Sequence, residues 1–210
     1  SSNPEQKRTY LNKTLFYVEQ SEFKRINDLK KIIVQRAGCL KTKDFNQIKY
    51  WDEQLINIEP EITLFNMEVC KKINSLLKNS EIIDCFVNKN PWLEDLSIKY
   101  QHGFNENEQF STILTNNLEK DMVLKRTNAG PHKRSFEILL ENKSSDEVLS
   151  RGQQKIISII LHLIQREIIR SHTDMEPILL MDDISSELDK ENANLMLKYL
   201  IDKSVQTIMT

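Results

Sequence analysis

Apolar side chains in the first half of this chain recur at helical intervals. Ile26, Leu29, Ile33, Ala37 and Leu40 follow one another at steps of 3, 4, 4 and 3, which lines them up as one stripe on a helix. Ile62, Phe65, Val69, Ile73 and Leu76 repeat the same steps. Pro60 suits the first turn of that second helix, where its missing N–H costs nothing. Two facing stripes predict an antiparallel helical hairpin, with Tyr50, Trp51 and Leu55 near its middle. Residues 1–95 are therefore read as a helical arm.

Beyond Pro91 the rhythm shortens. "LSIKY" and "SFEILLEN" read as strands, with a helix expected around residues 107–120 and a Gly-Pro turn, "TNAGPHKRS", leading into the second strand. A very apolar helix is expected from about Gln153 to Arg170. "PILLM" is a run that burial on both faces favours, as in the central strand of a parallel sheet. A helix over residues 190–203, capped by Asp189, and a closing strand in "VQTIMT" complete a βαβ unit. The fold class is α/β, with residues 96–210 as the sheet-bearing part. The chain contains no internal repeat and no low-complexity segment.

Composition narrows the function classes. A chain of 210 residues is long enough for one sizeable domain or two small ones. Its formal net charge of −2 argues against nucleic-acid binding by bulk charge, so any basic footprint has to be local. Cys39, Cys70 and Cys85 form no CxxC pair and the four histidines form no HExxH motif, which predicts reduced thiols in a cytoplasmic protein without a zinc site. The longest apolar run, Ile156 to Ile164, is too short to span a membrane, and no charged-then-apolar leader opens the sequence.

Two segments carry chemistry. In "LSRGQQK", Ser150 is positioned to cap a helix and Gly152 lets a ligand approach the backbone. Arg151 and Lys155 add positive charge where the helix dipole already favours an anion. An ordinary Ser-capped amphipathic helix fits the same letters. In "PILLMDD", a strand delivers Asp182 and Asp183 to the carboxyl edge of a sheet, the edge at which α/β proteins bind ligands. One can hold Mg²⁺ while the other orients or deprotonates an attacking water. A strand that merely ends in polar residues, with one aspartate capping the next helix, is the plainer account. "SSELD" adds Ser186 and Asp189 a few residues later.

An LSxGQ turn, a helix, an apolar strand ending in two aspartates and an LD loop follow in that order within about 40 residues. This layout resembles the ATP-binding-cassette ATPases. The wider sequence is similar to the RecF family, the recombination mediators of the SMC-like branch. The similarity lies in "NPEQKRTYLNKTLFYVE", "YWDEQL", "LSIKYQHG", "GPHK", "LSRGQQK", "PILLMDDISSELD" and "QTIMT".

The resemblance implies the C-terminal half of an ABC-type ATPase head, carrying a lobe II-like helical arm. It implies that Ser150, Arg151, Gly152 and Gln153 form the signature turn that meets the γ-phosphate of ATP held by a second subunit. Asp182 is then the Walker B metal residue, Asp183 the catalytic carboxylate and Asp189 the D-loop residue at the dimer interface. The implied cofactors are ATP and Mg²⁺. The implied partners are DNA at single-strand/duplex junctions or in duplex form, a second copy bound through ATP, and RecR. Lys133 stands where the family usually has arginine, and Arg134-Ser135 where it usually has acidic residues, although local basic charge is kept. None of the four glycines begins or ends a Gly-x-x-x-x-Gly-Lys-Ser/Thr loop, which predicts a piece of a longer protein, inactive alone. The alternative is another SMC-like or Rad50-like ATPase head serving as a structural clamp or nuclease partner.

Basic residues supply the expected DNA surface. On a helix over residues 21–43, Lys24, Arg25, Lys31, Arg36 and Lys43 lie away from the apolar stripe, where they can follow a phosphate backbone. A solvated helix face fits them equally well. Lys133 and Arg134 of the GPHK turn are added to the same expectation.

Overall fold

The computed structural model describes residues 3–182 and 188–210. Its elements are α1 (Pro4–Val18), α2 (Gln20–Thr42), α3 (Phe45–Lys78), α4 (Glu81–Val87), a 3-10 turn (Pro91–Asp95), β1 (Leu96–Gln101), α5 (Phe110–Asn116) and α6 (Leu118–Leu124). A second 3-10 turn (Pro131–Lys133) leads to β2 (Ser135–Leu140), β3 (Lys143–Ser144), α7 (Ser145–Val148), α8 (Arg151–His172), β4 (Leu179–Met181), α9 (Lys190–Asp202) and β5 (Thr207–Met209). The α/β class holds.

The chain packs as two compact units whose segments interleave. One consists of Cys70–Lys99 with Glu137–Thr210, the other of Asn3–Val69 with Tyr100–Phe136. The expected single boundary at residue 95 thus meets a different division. The second unit draws on both sides of that boundary because its core does: Leu29 and Ile32 of α2 and Leu55 and Ile62 of α3 cluster with Phe110, Ile113 and Leu114 of α5.

The hairpin forms as an antiparallel pair about a two-residue link. Lys43 reverses the chain at φ 58°, and the Asp44 carboxylate accepts from the Gln47 amide at 3.1 Å to cap α3. Arg36 then reaches Asp52, and farther from the link Arg25 reaches Glu61. Pro60 departs from expectation, since it lies inside the 34-residue α3 and not at a helix start. One stripe explains this. Ile48, Leu55, Ile62 and Val69 recur every seventh residue and are all buried, so breaking the helix at Pro60 would expose half of a continuous apolar seam.

The sheets are small. β1, β2 and β3 form one three-stranded sheet in that order, with β2 and β3 antiparallel. The expected strand through Asn142 ends early, because Glu141 and Asn142 both take positive φ and turn the chain between Leu140 and Lys143. The helix expected over 107–120 is two short helices, broken where the Asn117 side chain donates to the Ile113 carbonyl at 2.9 Å.

β4 and β5 pair in parallel around α9, as a βαβ unit requires. Two-sided burial of "PILLM" is not seen: Leu180 is 74% exposed and Ile178 50% exposed. Among the described residues β4 has one neighbour strand, so its outer face lacks a cover. All three cysteines are free, and burial pushes the Cys70 thiol up to about 12. Among the described residues no helix is long and apolar enough to cross a membrane.

Candidate functional site

The start of α8 is a reciprocal cap. The Gln153 amide donates to Ser150 Oγ at 3.3 Å, and the Ser150 amide donates to Gln153 Oε1 at 2.9 Å. Eight buried apolar residues, from Ile156 to Ile169, then anchor the helix. The cap satisfies the Ser150 and Gln153 amides and leaves the first-turn amides of Arg151 and Gly152 without an acceptor inside the helix. Ser150 Oγ accepts from Gln153, so its own hydroxyl proton remains available to a ligand.

Ser150, Arg151 and Gly152 are exposed. A Cβ built on Gly152 would meet no atom within 4 Å. Packing therefore does not explain a glycine here, in a helix that alanine would suit better. Two amides, a hydroxyl, a guanidinium and an open backbone face make a turn that fits a phosphate.

The carboxyl end of β4 supplies the second element. Asp182 is exposed, and its Oδ1 accepts from Thr210 Oγ1, while the Thr210 amide donates to the Met181 carbonyl at 3.1 Å. Asp183 and Ser186 lie outside the described residues. Among the described residues no group of three His, Cys, Asp or Glu side chains could hold a metal.

Asp189 caps α9. Its Oδ1 accepts from the Glu191 and Asn192 amides, both at 3.0 Å, and its Oδ2 accepts from Asn192 Nδ2 at 2.6 Å. Those hydrogen bonds, the Asn192 amide above all, hold its carboxyl below the usual range. Asn192 in turn accepts from buried Asn90 Nδ2 at 2.8 Å, so a buried asparagine pair fixes the loop end. Both oxygens of Asp189 are thus engaged within the chain.

The basic residues separate sharply. Lys24 and Lys43 are exposed, and Lys31 lies 3.5 Å from Asp28 on the surface. Arg25 is paired with both Glu22 and Glu61. Arg36 is 0% exposed and bound to Asp52 and Asp121, so it belongs to the core of its unit and not to a DNA-facing surface. Arg134 is 2% exposed, donating to Pro131 O, Asn66 and Asn12, which removes it from the surface as well. A helical wheel projects Arg36 outward; α6 covers it with Asp121.

Gly103 shapes this region too, although nothing in the letters of "YQHG" singles it out. Its carbonyl accepts from the Gly130 amide at 3.1 Å, seating the backbone of the GPHK turn directly on it. Lys133 stays exposed on that turn. His132 Nε2 donates to the Thr127 carbonyl at 3.1 Å, and burial drives the His132 pKa down to about 4.

No family model matches the chain. The DNA replication and repair protein RecF of Pseudoalteromonas translucida is 31% identical over 191 residues, covering 90% of this chain and 51% of that protein. The RecF proteins of Shewanella frigidimarina and Shewanella woodyi are 26% and 28% identical over 208 residues, covering 99% of this chain and 56% and 55% of theirs. The chain thus spans about half the length of the curated relatives it matches. Two solved structures of the recombination mediator protein RecF in the RecFOR pathway, described as RecF-ATP and RecF-ATPrS, superpose with a TM-score of 0.80. They are 22% identical, and the match covers 100% of this chain and 58% of theirs. Along 90–99% of its length this chain is similar in sequence to the RecF proteins, and its α/β fold is that of the two solved RecF structures.

Proposed function

We infer that this chain is the signature-and-Walker B portion of a RecF-type recombination mediator, which pairs two copies through ATP on DNA during gap repair and fork recovery. The observation that carries the reading is the open face of Gly152 beside a capped, exposed helix start. Bound ATP supplies the phosphate charge that links the subunits. On the protein side, the Ser150 hydroxyl and the Arg151 and Gly152 amides receive the terminal phosphate, and the Arg151 guanidinium adds charge. Gln153 keeps the turn in register through its cap. Asp182 would hold Mg²⁺, Asp183 would orient the attacking water, and Asp189 would lie at the interface with its cap bonds in place. The Ser150 turn and the Asp182–Asp183 pair act on different nucleotides, so ATP shifts a monomer–dimer population. RecR is the proposed protein partner, and single-strand/duplex junctions the proposed DNA.

Two substitutions separate this role from a merely structural one. In a full-length protein that carries this chain, Gly152→Ala is expected to melt no lower than the wild type, because nothing occupies the space of the added methyl. The same change, and Ser150→Arg, are expected to weaken ATP-dependent dimerisation by about 10-fold, the value of one charge-assisted hydrogen bond. Sedimentation velocity with and without ATP measures it. Unaltered ATP-dependent pairing in both variants overturns the reading. So does steady ATP turnover by the present chain alone that disappears in Asp183→Asn.

A further inference from the structure

Pairing and burial take Arg25 and Arg36 out of the basic face expected on α2, but the same unit gathers cations elsewhere. Arg8 on α1, Lys120 and Arg126 in and just after α6, and Lys133 in the GPHK turn come from three separate stretches of the sequence. Hydrogen bonds bring those stretches together. The Asp121 carboxylate accepts from the Asn128 amide at 2.9 Å and from its side chain at 2.8 Å, while the Arg126 amide donates to the Asp121 carbonyl at 3.2 Å. His132 bonds the Thr127 carbonyl, which closes the GPHK turn onto Arg126. Arg134 donates to Asn12, one helical turn beyond Arg8 on the same face of α1.

Lys133 feels the other three charges. Burial first, then Arg126, Lys120 and Arg8, lower the pKa of Lys133, with Asp121 opposing. Arg8 also acts against the charged form of His132 and of Arg134. Lys120, Arg126 and Lys133 are exposed and Arg8 is half-buried. None of the four forms an ion pair among the described residues. Asp121 cannot neutralise them, being buried and already bound to Arg36 and Asn128. In a chain of net charge −2 this concentration is a product of folding, and like charges held together without a counterion are a standing cost.

We propose that Arg8, Lys120, Arg126 and Lys133 form a phosphate-binding patch that grips the sugar-phosphate backbone of duplex DNA. The proposal deepens the DNA-binding part of the function inferred above and rests on it. Recognition by charge alone is independent of base sequence and steep in salt.

The test is fluorescence anisotropy of the full-length protein that carries this chain, with ATP, and two labelled duplexes of unrelated sequence, titrated across a range of KCl concentrations. Arg126→Gln/Lys133→Gln is expected to weaken binding to both duplexes about 10-fold and to lower the slope of log K against log salt by about 1.8, or about 0.9 for each phosphate that the variant no longer neutralises. A matched Lys24→Gln/Lys43→Gln variant is expected to change the slope less. Wild-type slope and affinity in the patch variant, with loss in the α2 variant, overturns the patch and leaves DNA binding standing. If the wild type binds neither duplex, the DNA reading fails and tripolyphosphate binding decides the patch. Loss of that binding in Arg126→Gln/Lys133→Gln upholds an anion site, and equal binding overturns it.

Discussion

Replacing Arg36 by methionine is expected to remove about 3–5 kcal/mol of stability, a large share of the 5–15 kcal/mol typical of a folded domain. Arg36 is fully buried, with Nε donating to Asp52 at 2.5 Å and Nη1 donating to Asp121 at 2.7 Å and to Thr127 at 3.0 Å. Methionine fills similar volume but leaves two carboxylates without their cation, one of them at 0% exposure. The loss therefore comes from stranded charge and not from a cavity. Adding Asp121→Asn is expected to restore part of it, since the amide still bonds its neighbours without needing a counter-charge. Urea unfolding of the three proteins measures both effects.

The pH dependence has a definite sign. Burial raises the Asp52 pKa above 3.8, and Arg36 is the main force pulling it back. A carboxyl whose folded pKa lies above its unfolded one contributes stability that is present below the unfolded pKa and lost as pH rises through the folded one. Removing Arg36 lifts the folded pKa further, so the Arg36→Met loss should be larger at neutral pH than in acid, below about pH 4. Equal losses at both, with no recovery in the double variant, would exclude a charge-based role for Arg36.

The same residue marks where reading the sequence stops. Local signals survive folding intact. Ser150 and Gln153 form the cap their spacing promises, Asp189 caps α9, and the "PILLM" and "QTIMT" segments pair in parallel around that helix. Each depends on neighbours within a few residues or on one periodic stripe. Properties set by distant segments are a different matter. A helical wheel places Arg36 on the outer face because the wheel cannot know that α6 lays Asp121 over it, 85 residues away. Pro60 reads as a helix start because proline is locally costly, whereas the seam from Ile48 to Val69 offsets that cost over three seven-residue repeats. The cluster of Arg8, Lys120, Arg126 and Lys133 has no sequence signature, since only folded turns bring its members together. Leu180 reads as a central-strand residue and is exposed for a related reason. Burial depends on what covers a face, and one strand's letters do not contain its neighbour.

Gly103→Ala is expected to destabilise the second unit by about 3 kcal/mol, toward the upper end for a single substitution, by combining backbone strain with a collision that side-chain motion cannot relieve. Gly103 sits at φ 82°, which alanine rarely adopts. Its new methyl would come within 2.5 Å of the Gly130 carbonyl oxygen, 2.6 Å of the Lys133 carbonyl carbon and 2.7 Å of the Arg134 nitrogen. All three atoms are backbone, so the GPHK turn itself has to move. Arg134 would then lose its buried acceptors, and Lys133 would leave the positions of Arg126 and Arg8. Lower stability and a shallower salt dependence of DNA binding should therefore appear together. Gly38 provides the internal contrast. It lies within α2 with nothing inside 4 Å of an added methyl, so Gly38→Ala is expected to stabilise by about 0.5–1 kcal/mol through helix propensity alone. Parallel urea melts of the two alanine variants decide the point. A Gly103→Ala protein that unfolds with the wild type would mean that the turn is loosely held, and the patch built on it would lose its scaffold.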